Sequence, residues 1–234
     1  LLPIPINRTT LNELYGLKLS EQDVQPYLDS VRVQKKEIKT SADVVLNSVG
    51  PDLCDKFFRG YTRKQWGVEL EDLSAGVAAR IPTRTNDDDR YFSDTWQFMP
   101  SAGYAAMFEA MLRHPSISLE LNKEYVKGRD DVGFDHVVYT GPIDAYFDFK
   151  LGKLPYRSLR FEHVHYSDKS AFQAHATVNY PSEEEFTRIT EFKYLTGQDC
   201  SGTSIVKEYP VVDGDPYYPI PMQNNKEVFS KHED

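Results

Sequence analysis

Apolar positions recur at two different periods along this chain, and the change of period divides it. Up to residue 112 they fall three or four apart, the spacing of helices with one buried face. Thr10-Leu-Asn-Glu13 is a capping-box pattern that opens a short helix ending near Gly16. Ser20-Glu-Gln-Asp23 opens another toward Val31, with a break or late start expected at Pro26. Ser41 to Gly50 carries a cap, an apolar stripe and a terminal glycine, and Pro51 then opens an aromatic-rich helix. Leu70 to Ala79 and Pro100 to Leu112 predict two more. From residue 116 the period drops to two. Ser116 to Leu121, Phe134 to Thr140, Ser158 to Tyr166, Ala171 to Tyr180, Phe186 to Leu195 and Thr203 to Pro210 predict strands, with a short helix or turn over Ile143 to Leu151. The last four are joined by turn compositions, which predicts an antiparallel sheet. Prolines in the opening Leu-Leu-Pro-Ile-Pro-Ile predict an edge strand. Helices followed by sheet make an α+β arrangement, a helical cluster plus a mainly antiparallel sheet. Arg80 to Gln97 shows neither period; its proline, asparagine and three aspartates predict a loop.

Composition narrows the chemistry. The 234 residues allow one large domain or two small ones, and a net charge of −9 argues against a general nucleic-acid binder. Two cysteines outside any CxxC pair give no zinc signature and fit a reduced, cytoplasmic setting. No apolar run approaches the ~20 residues of a membrane span. There is no GxGxxG, P-loop, HExxH or GxSxG. Cys54 to Gly67 packs Phe57, Phe58, Tyr61 and Trp66 among Lys56, Arg59, Arg63 and Lys64. Phe57 and Tyr61 fall four apart, on one helical face. Rings beside Arg59, Arg63 and Lys64 suit a ligand with a flat ring at one end and anionic charge at the other, such as a nucleotide diphosphate; an amphipathic helix with aromatic residues in the core fits the same pattern. Arginines in the 80–97 loop fit either a lid closing on an anion or a solvated connector. Arg188, on a predicted strand with Thr190 and Phe192 on its face, is either a rigid diphosphate clamp or half of a cross-strand ion pair. His163 and His165 share a strand face, and Asp87, Asp88 and Asp89 stand together, but neither group has a matching ligand set, so no metal is expected.

Several of these segments together resemble the motifs of bacterial UDP-galactopyranose mutase. They are Ile4-Pro-Ile-Asn-Arg-Thr-Thr-Leu-Asn-Glu-Leu-Tyr-Gly16, Gly60-Tyr-Thr-Arg-Lys-Gln-Trp-Gly67, Arg80-Ile-Pro-Thr-Arg84, Asp88-Asp-Arg-Tyr-Phe92, Thr140-Gly-Pro-Ile-Asp144 and Thr187-Arg-Ile-Thr-Glu191, in the family's order. The resemblance implies an isomerase that interconverts UDP-galactopyranose and UDP-galactofuranose through an adduct of the sugar's anomeric carbon with N5 of reduced FAD. It implies that Phe57 and Tyr61 sandwich the uracil, with Phe58, Thr62 and Trp66 in the same pocket. Arg80 and Arg188 hold the diphosphate, and Tyr91, Phe92, Asn179 and one of Tyr217 or Tyr218 complete the substrate pocket. Tyr125, Val126, Thr140 and Gly141 are the expected cofactor contacts. Phe192 stands where many relatives carry histidine.

The implied domains are a helical substrate domain over 8–112 with a mobile loop at 80–97, a partial return into an FAD-binding domain over 113–152, a sheet domain from 1–7 and 153–224, and a tail over 225–234. The whole would be a central portion of a larger FAD-dependent α/β flavoenzyme, without its glycine-rich FAD turn or C-terminal segment, inactive alone and a homo-oligomer when complete. The competing classes are a flavin-dependent oxidoreductase of the amine-oxidase type, which needs no pair of diphosphate arginines, and a non-catalytic nucleotide-sugar-binding module, which ignores flavin redox state.

Overall fold

A computed structural model describes residues 1–231, the side chain of Gln223 aside. Its first layer is helical: α1 (Arg8–Tyr15), α2 (Glu21–Val31), α3 (Ser41–Leu53), a π-helical turn over Cys54–Arg59, α4 (Gly60–Trp66) and α5 (Gly76–Ala79). Leu11, Val24, Leu28, Val45, Val49, Leu53 and Leu70 close into one core, with Cys54 fully buried among them. Burial pushes the Cys54 thiol up to about 11, so it behaves as a small apolar group. α1 is capped three residues earlier than its sequence predicts. Asn7 accepts from the Thr10 amide at 3.0 Å, and Thr10 Oγ1 accepts from the Asn7 amide at 3.2 Å. Pro26 does not break α2. The one intrahelical bond it costs is offset by Val24 and Leu28, which are buried on either side of it. The predicted helix over Leu70 to Ala79 shrinks to α5, because Ser74 instead pairs with Thr40 in an isolated bridge.

The second layer is one antiparallel sheet in the order β2-β3-β4-β1-β5: β1 (Tyr156–Tyr166), β2 (Thr177–Asn179), β3 (Arg188–Glu191), β4 (Thr203–Val211) and β5 (Tyr218–Pro219). β1 and β4 follow their predicted ranges closely. The other two are cut short. The predicted strand from Ala171 forms only at Thr177, and the one from Phe186 gives way after Glu191 to α8 (Phe192–Thr196), which a left-handed Gly197 closes. Fully buried Glu191 explains both. Its carboxylate accepts from the Phe172 and Gln173 amides at 3.0 and 2.8 Å and from the Thr203 hydroxyl at 2.5 Å, holding residues 172–173 in a turn rather than a ladder.

In the chain, α6 (Gly103–Leu112) and α7 (Ile143–Tyr146) come between the helical layer and the sheet, and α9 (Gln223–Ser230) follows the sheet. The strands predicted at Ser116–Leu121 and Phe134–Thr140 do not form. Neither segment has a neighbouring strand to bond with among the described residues, and their apolar side chains stay exposed, Leu121 at 73% and Val138 at 87%. Residues 1–7 form no edge strand either. Of the expected tail, 225–230 is helical, and 232–234 lie outside the described residues. Among the described residues no helix is long and apolar enough to cross a membrane.

Candidate functional site

The aromatic segment is placed by three glycines. Gly50 adopts φ +82°, and a Cβ there would sit 2.3 Å from the Val31 carbonyl oxygen, so the chain kinks and Pro51 restarts it. Residues 54–59 then take the wider π turn, a form that recurs at functional sites. Gly60 lets α4 press against the β2–β3 loop: a Cβ there would be 2.1 Å from the Pro181 carbonyl oxygen. Gly67, at φ +69°, ends the helix.

The helix cations do not face an open anion site. Arg59 is held by Asp55 and Glu71, each at 2.7 Å, and Arg63 by Glu69 at 2.7 Å. Lys64 donates to the carbonyl oxygens of Tyr180, Glu184 and Phe186. Each of the three cations that the sequence pattern offered to a ligand is thus hydrogen-bonded within the protein.

Arg188 is different. It lies on β3 opposite Asn179 on one side and Glu208 on the other. Its Nη2 donates to the Tyr61 hydroxyl at 2.8 Å, and its Nε lies 3.3 Å from Glu208 Oε2 without hydrogen-bond alignment. The cross-strand ion pair offered by the sequence is thus present, and the same side chain also reaches the aromatic helix. The pair is uneven. At Glu208 burial outweighs the attraction of Arg188 and raises the carboxyl above its usual range. Arg188 is itself desolvated, yet attraction to Tyr61 and Glu208 leaves its guanidinium raised as well. Burial also raises the Tyr61 phenol, which stays neutral and able to accept.

Other expected residues gather round this pair. Tyr91 is close enough to affect the Tyr61 phenol, and Tyr218 close enough to affect Arg188. Tyr218 also meets Trp66 edge-on at 6.0 Å, whereas Tyr217 packs against Phe161 at 5.7 Å. Of the two tyrosines, Tyr218 is thus the one beside Trp66 and Arg188. Arg80, exposed at the end of α5, has no side-chain partner among the described residues. With Pro82, Arg84, Tyr91, Phe92 and Asp94 it lines an opening of about 370 Å³ in which Tyr91 and Phe92 meet at 4.9 Å. Thr62 is buried on α4; Phe57 and Phe58 lie half-buried at the margin of the helical core. Asn179 is exposed at the end of β2.

The middle of the 80–97 loop is pinned. Asp87 pairs with Arg8, Asp89 accepts from Asn7 Nδ2 at 2.6 Å, and Asp88 takes both Arg84 (2.6 Å) and Arg90 (2.8 Å). The aspartates are spent on these contacts. Among the described residues no group of three His, Cys, Asp or Glu is placed to hold a metal. His165 Nδ1 lies 2.9 Å from the Ser204 hydroxyl, and His163 stacks on Phe192 at 6.2 Å.

The expected cofactor residues are not brought to Arg188. Tyr125 bonds Asp131 and packs with Tyr139 at 5.3 Å and Tyr146 at 6.4 Å; Val126, Thr140 and Gly141 are exposed on irregular backbone. Among the described residues no glycine-rich turn opens a helix beside them.

Three residues escaped the sequence reading. Glu208 is paired with Arg188 from a separate strand. Arg157, 8% exposed on β1, donates from Nε to the Gln65 carbonyl and from Nη2 to the Lys64 carbonyl, both at 3.2 Å, and lies against Gly67. Glu191 organises the turn after β1. A charged residue inside a predicted strand was the available signal for Glu208, whereas Arg157 lies one residue before its predicted strand; their partners are 20 and 92 residues away.

The family model for UDP-galactopyranose mutase matches residues 56–234. Over 98% of its length the chain is 36% identical to a probable UDP-galactopyranose mutase of Klebsiella pneumoniae, covering 60% of that protein. It is 33% identical to a dTDP-fucopyranose mutase of Escherichia coli, with 98% of this chain and 64% of that protein covered. A UDP-galactopyranose mutase of Mycoplasma pneumoniae is 33% identical over 76% of the chain and 49% of its own length. The chain thus spans less than two thirds of the length of these relatives.

Proposed function

Because the chain belongs to the UDP-galactopyranose mutase family, we propose that it carries the nucleotide-sugar pocket of a mutase that interconverts UDP-galactopyranose and UDP-galactofuranose. The observation that carries this reading is the 2.8 Å bond from Arg188 to Tyr61, which joins a strand-borne guanidinium to the aromatic helix. In the proposed pocket Phe57 and Tyr61 sandwich the base, with Phe58, Thr62 and Trp66 beside it. Arg188 holds the diphosphate from the sheet and Arg80 from the loop, and Tyr91, Phe92, Asn179 and Tyr218 surround the sugar. Each guanidinium contact to a departing diphosphate contributes roughly 1.5–3 kcal/mol. Holding the leaving group within reach also favours its recapture over its escape.

Reduced FAD is the proposed cofactor of the complete protein, where it would supply the nucleophile for the anomeric carbon. Residues 113–152 would belong to the domain that binds it, between a helical substrate domain over 8–112 and a sheet domain from 1–7 and 153–224. The segment alone is then inactive, and the complete protein a cytoplasmic homo-oligomer.

The test is an assay of the complete protein with UDP-galactofuranose, with and without dithionite. Turnover that appears only with the reductant is expected; equal turnover in its absence, or none in either case, would overturn the proposal. The match to a dTDP-fucopyranose mutase, at 33% against 36% identity, makes the dTDP-sugar a second substrate for the same assay. Turnover of it alone would keep the mutase and change the nucleotide.

A further inference from the structure

Gly60 and Lys64 stand four apart on α4 and so share a face. That face meets the loop joining β2 to β3. At Gly60 the approach is so close that a Cβ would overlap the Pro181 carbonyl oxygen. One turn later the Lys64 ammonium donates to the carbonyl oxygens of Tyr180, of Glu184 at 2.9 Å and of Phe186 at 3.1 Å. An ammonium has three N–H donors. All three go to main-chain oxygens of one eight-residue loop, 180–187, and no carboxylate hydrogen-bonds to it among the described residues. The loop bends round the cation as it would round a bound metal.

The loop's ends carry candidate pocket residues. Asn179 precedes Tyr180, Arg188 follows Thr187, and the two are paired across the hairpin. Tyr61, which accepts from Arg188, lies one turn before Lys64 on the same helix. The knot therefore sits beside the joint between helix and sheet.

We propose that Lys64 is a positioning residue of the nucleotide-sugar pocket: its ammonium gathers the β2–β3 loop onto α4 and thereby sets where Arg188 stands against Tyr61. The identity of the ligand rests on the function proposed above; the geometry does not. With its donors filled, Lys64 is not itself an anion ligand. Arginine is no substitute, because a planar fork cannot point three donors into a ring of carbonyls that closes round a single nitrogen. Methionine of similar length leaves three oxygens without a donor.

The experiment compares the complete protein with its Lys64→Met, Lys64→Arg and Arg188→Ala variants and the Lys64→Met/Arg188→Ala double variant. Two quantities are read: the UDP dissociation constant by calorimetry, and amide exchange over 179–188, where the Tyr180 and Thr187 amides are hydrogen-bonded. Lys64→Met is expected to weaken UDP binding at least tenfold and to speed exchange in that segment, while the double variant binds no worse than Arg188→Ala. Lys64→Arg, which keeps the charge, is expected to fold without regaining wild-type affinity, and it carries the comparison if Lys64→Met does not fold. Folded Lys64→Met with wild-type affinity, or losses that add in the double variant, would overturn the proposal. Failure of the wild-type protein to bind UDP defeats the proposed function instead. Exchange then decides alone, and unchanged protection over 179–188 in Lys64→Met overturns the positioning role.

Discussion

Arg188 is held between two groups with opposite demands. Tyr61 accepts from it as a neutral phenol, while Glu208 is a carboxylate that burial would prefer protonated. A carboxylate with a folded pKa above its unfolded value, ~4.3, stabilises the fold below that value and loses the contribution as pH rises through the folded one. Removing the guanidinium leaves Glu208 to ionise in a desolvated site with no partner. Arg188→Ala should therefore lose thermal stability on going from pH 5 to pH 8 more steeply than the wild type, a difference that melting curves at both pH values will detect. Arg80→Ala should leave those curves unchanged, since Arg80 has no partner among the described residues to lose. In the assay proposed above, each substitution should lower kcat/KM by about 10²- to 10³-fold, the usual size for loss of one charge-stabilising group. Wild-type kcat/KM in either would remove that arginine from the pocket. Local spacing was enough to single out Arg188 and Tyr61. The contact between them was not legible, because they lie 127 residues apart and only the fold joins them.

Elements with a partner nearby, or a buried face of their own, were readable from period alone: α2, α3, β1 and β4. Misreadings fall where a single non-local contact decides the backbone. β3 ends and α8 begins at Glu191, a residue that alternation had placed in mid-strand. Burial pushes the Glu191 carboxyl up, but the Thr203 hydroxyl and the Gln173 and Phe172 amides outweigh it and leave the group below its usual range. A lowered carboxylate contributes stability above its unfolded value of ~4.3, and the contribution is lost as pH falls through the folded value. Glu191→Gln should cost roughly 1–3 kcal/mol at pH 7 in urea unfolding, the range for a buried charged hydrogen-bonding group, with the gap to wild type narrowing below pH 4. A gap of equal size at both pH values would mean that charge is not what holds the turn. The alternation at 116–121 and the buried-type run at 134–140 read equally clearly as strands, yet a ladder needs a second strand, and the described residues offer none there.

At the scale of the molecule, the helical layer and the sheet meet through α4. Tyr61 reaches Arg188, Lys64 reaches the β2–β3 loop, and Arg157 reaches back from β1 to the last carbonyls of the helix. Arg157 is a buried cation hydrogen-bonded to carbonyls rather than to a carboxylate, and burial lowers its pKa. It acts as a C-terminal cap supplied by the opposite layer. Arg157→Met should lower stability by about 1–3 kcal/mol in urea unfolding by leaving those carbonyls unmet, and a variant as stable as wild type would show that solvent replaces the cap. The acidic turn after α5 has its own consequence at this scale. Because Asp87 and Asp89 moor the middle of that span to Arg8 and Asn7, the span cannot swing as one flap. Arg80 sits on the short span 80–83, tied to α5 on one side and, on the other, to Arg84, whose amide donates to the Ile6 carbonyl oxygen at 3.0 Å. Tyr91 and Phe92 hang from the far side of the mooring, so any gripping motion brings two short arms inward from separate hinges.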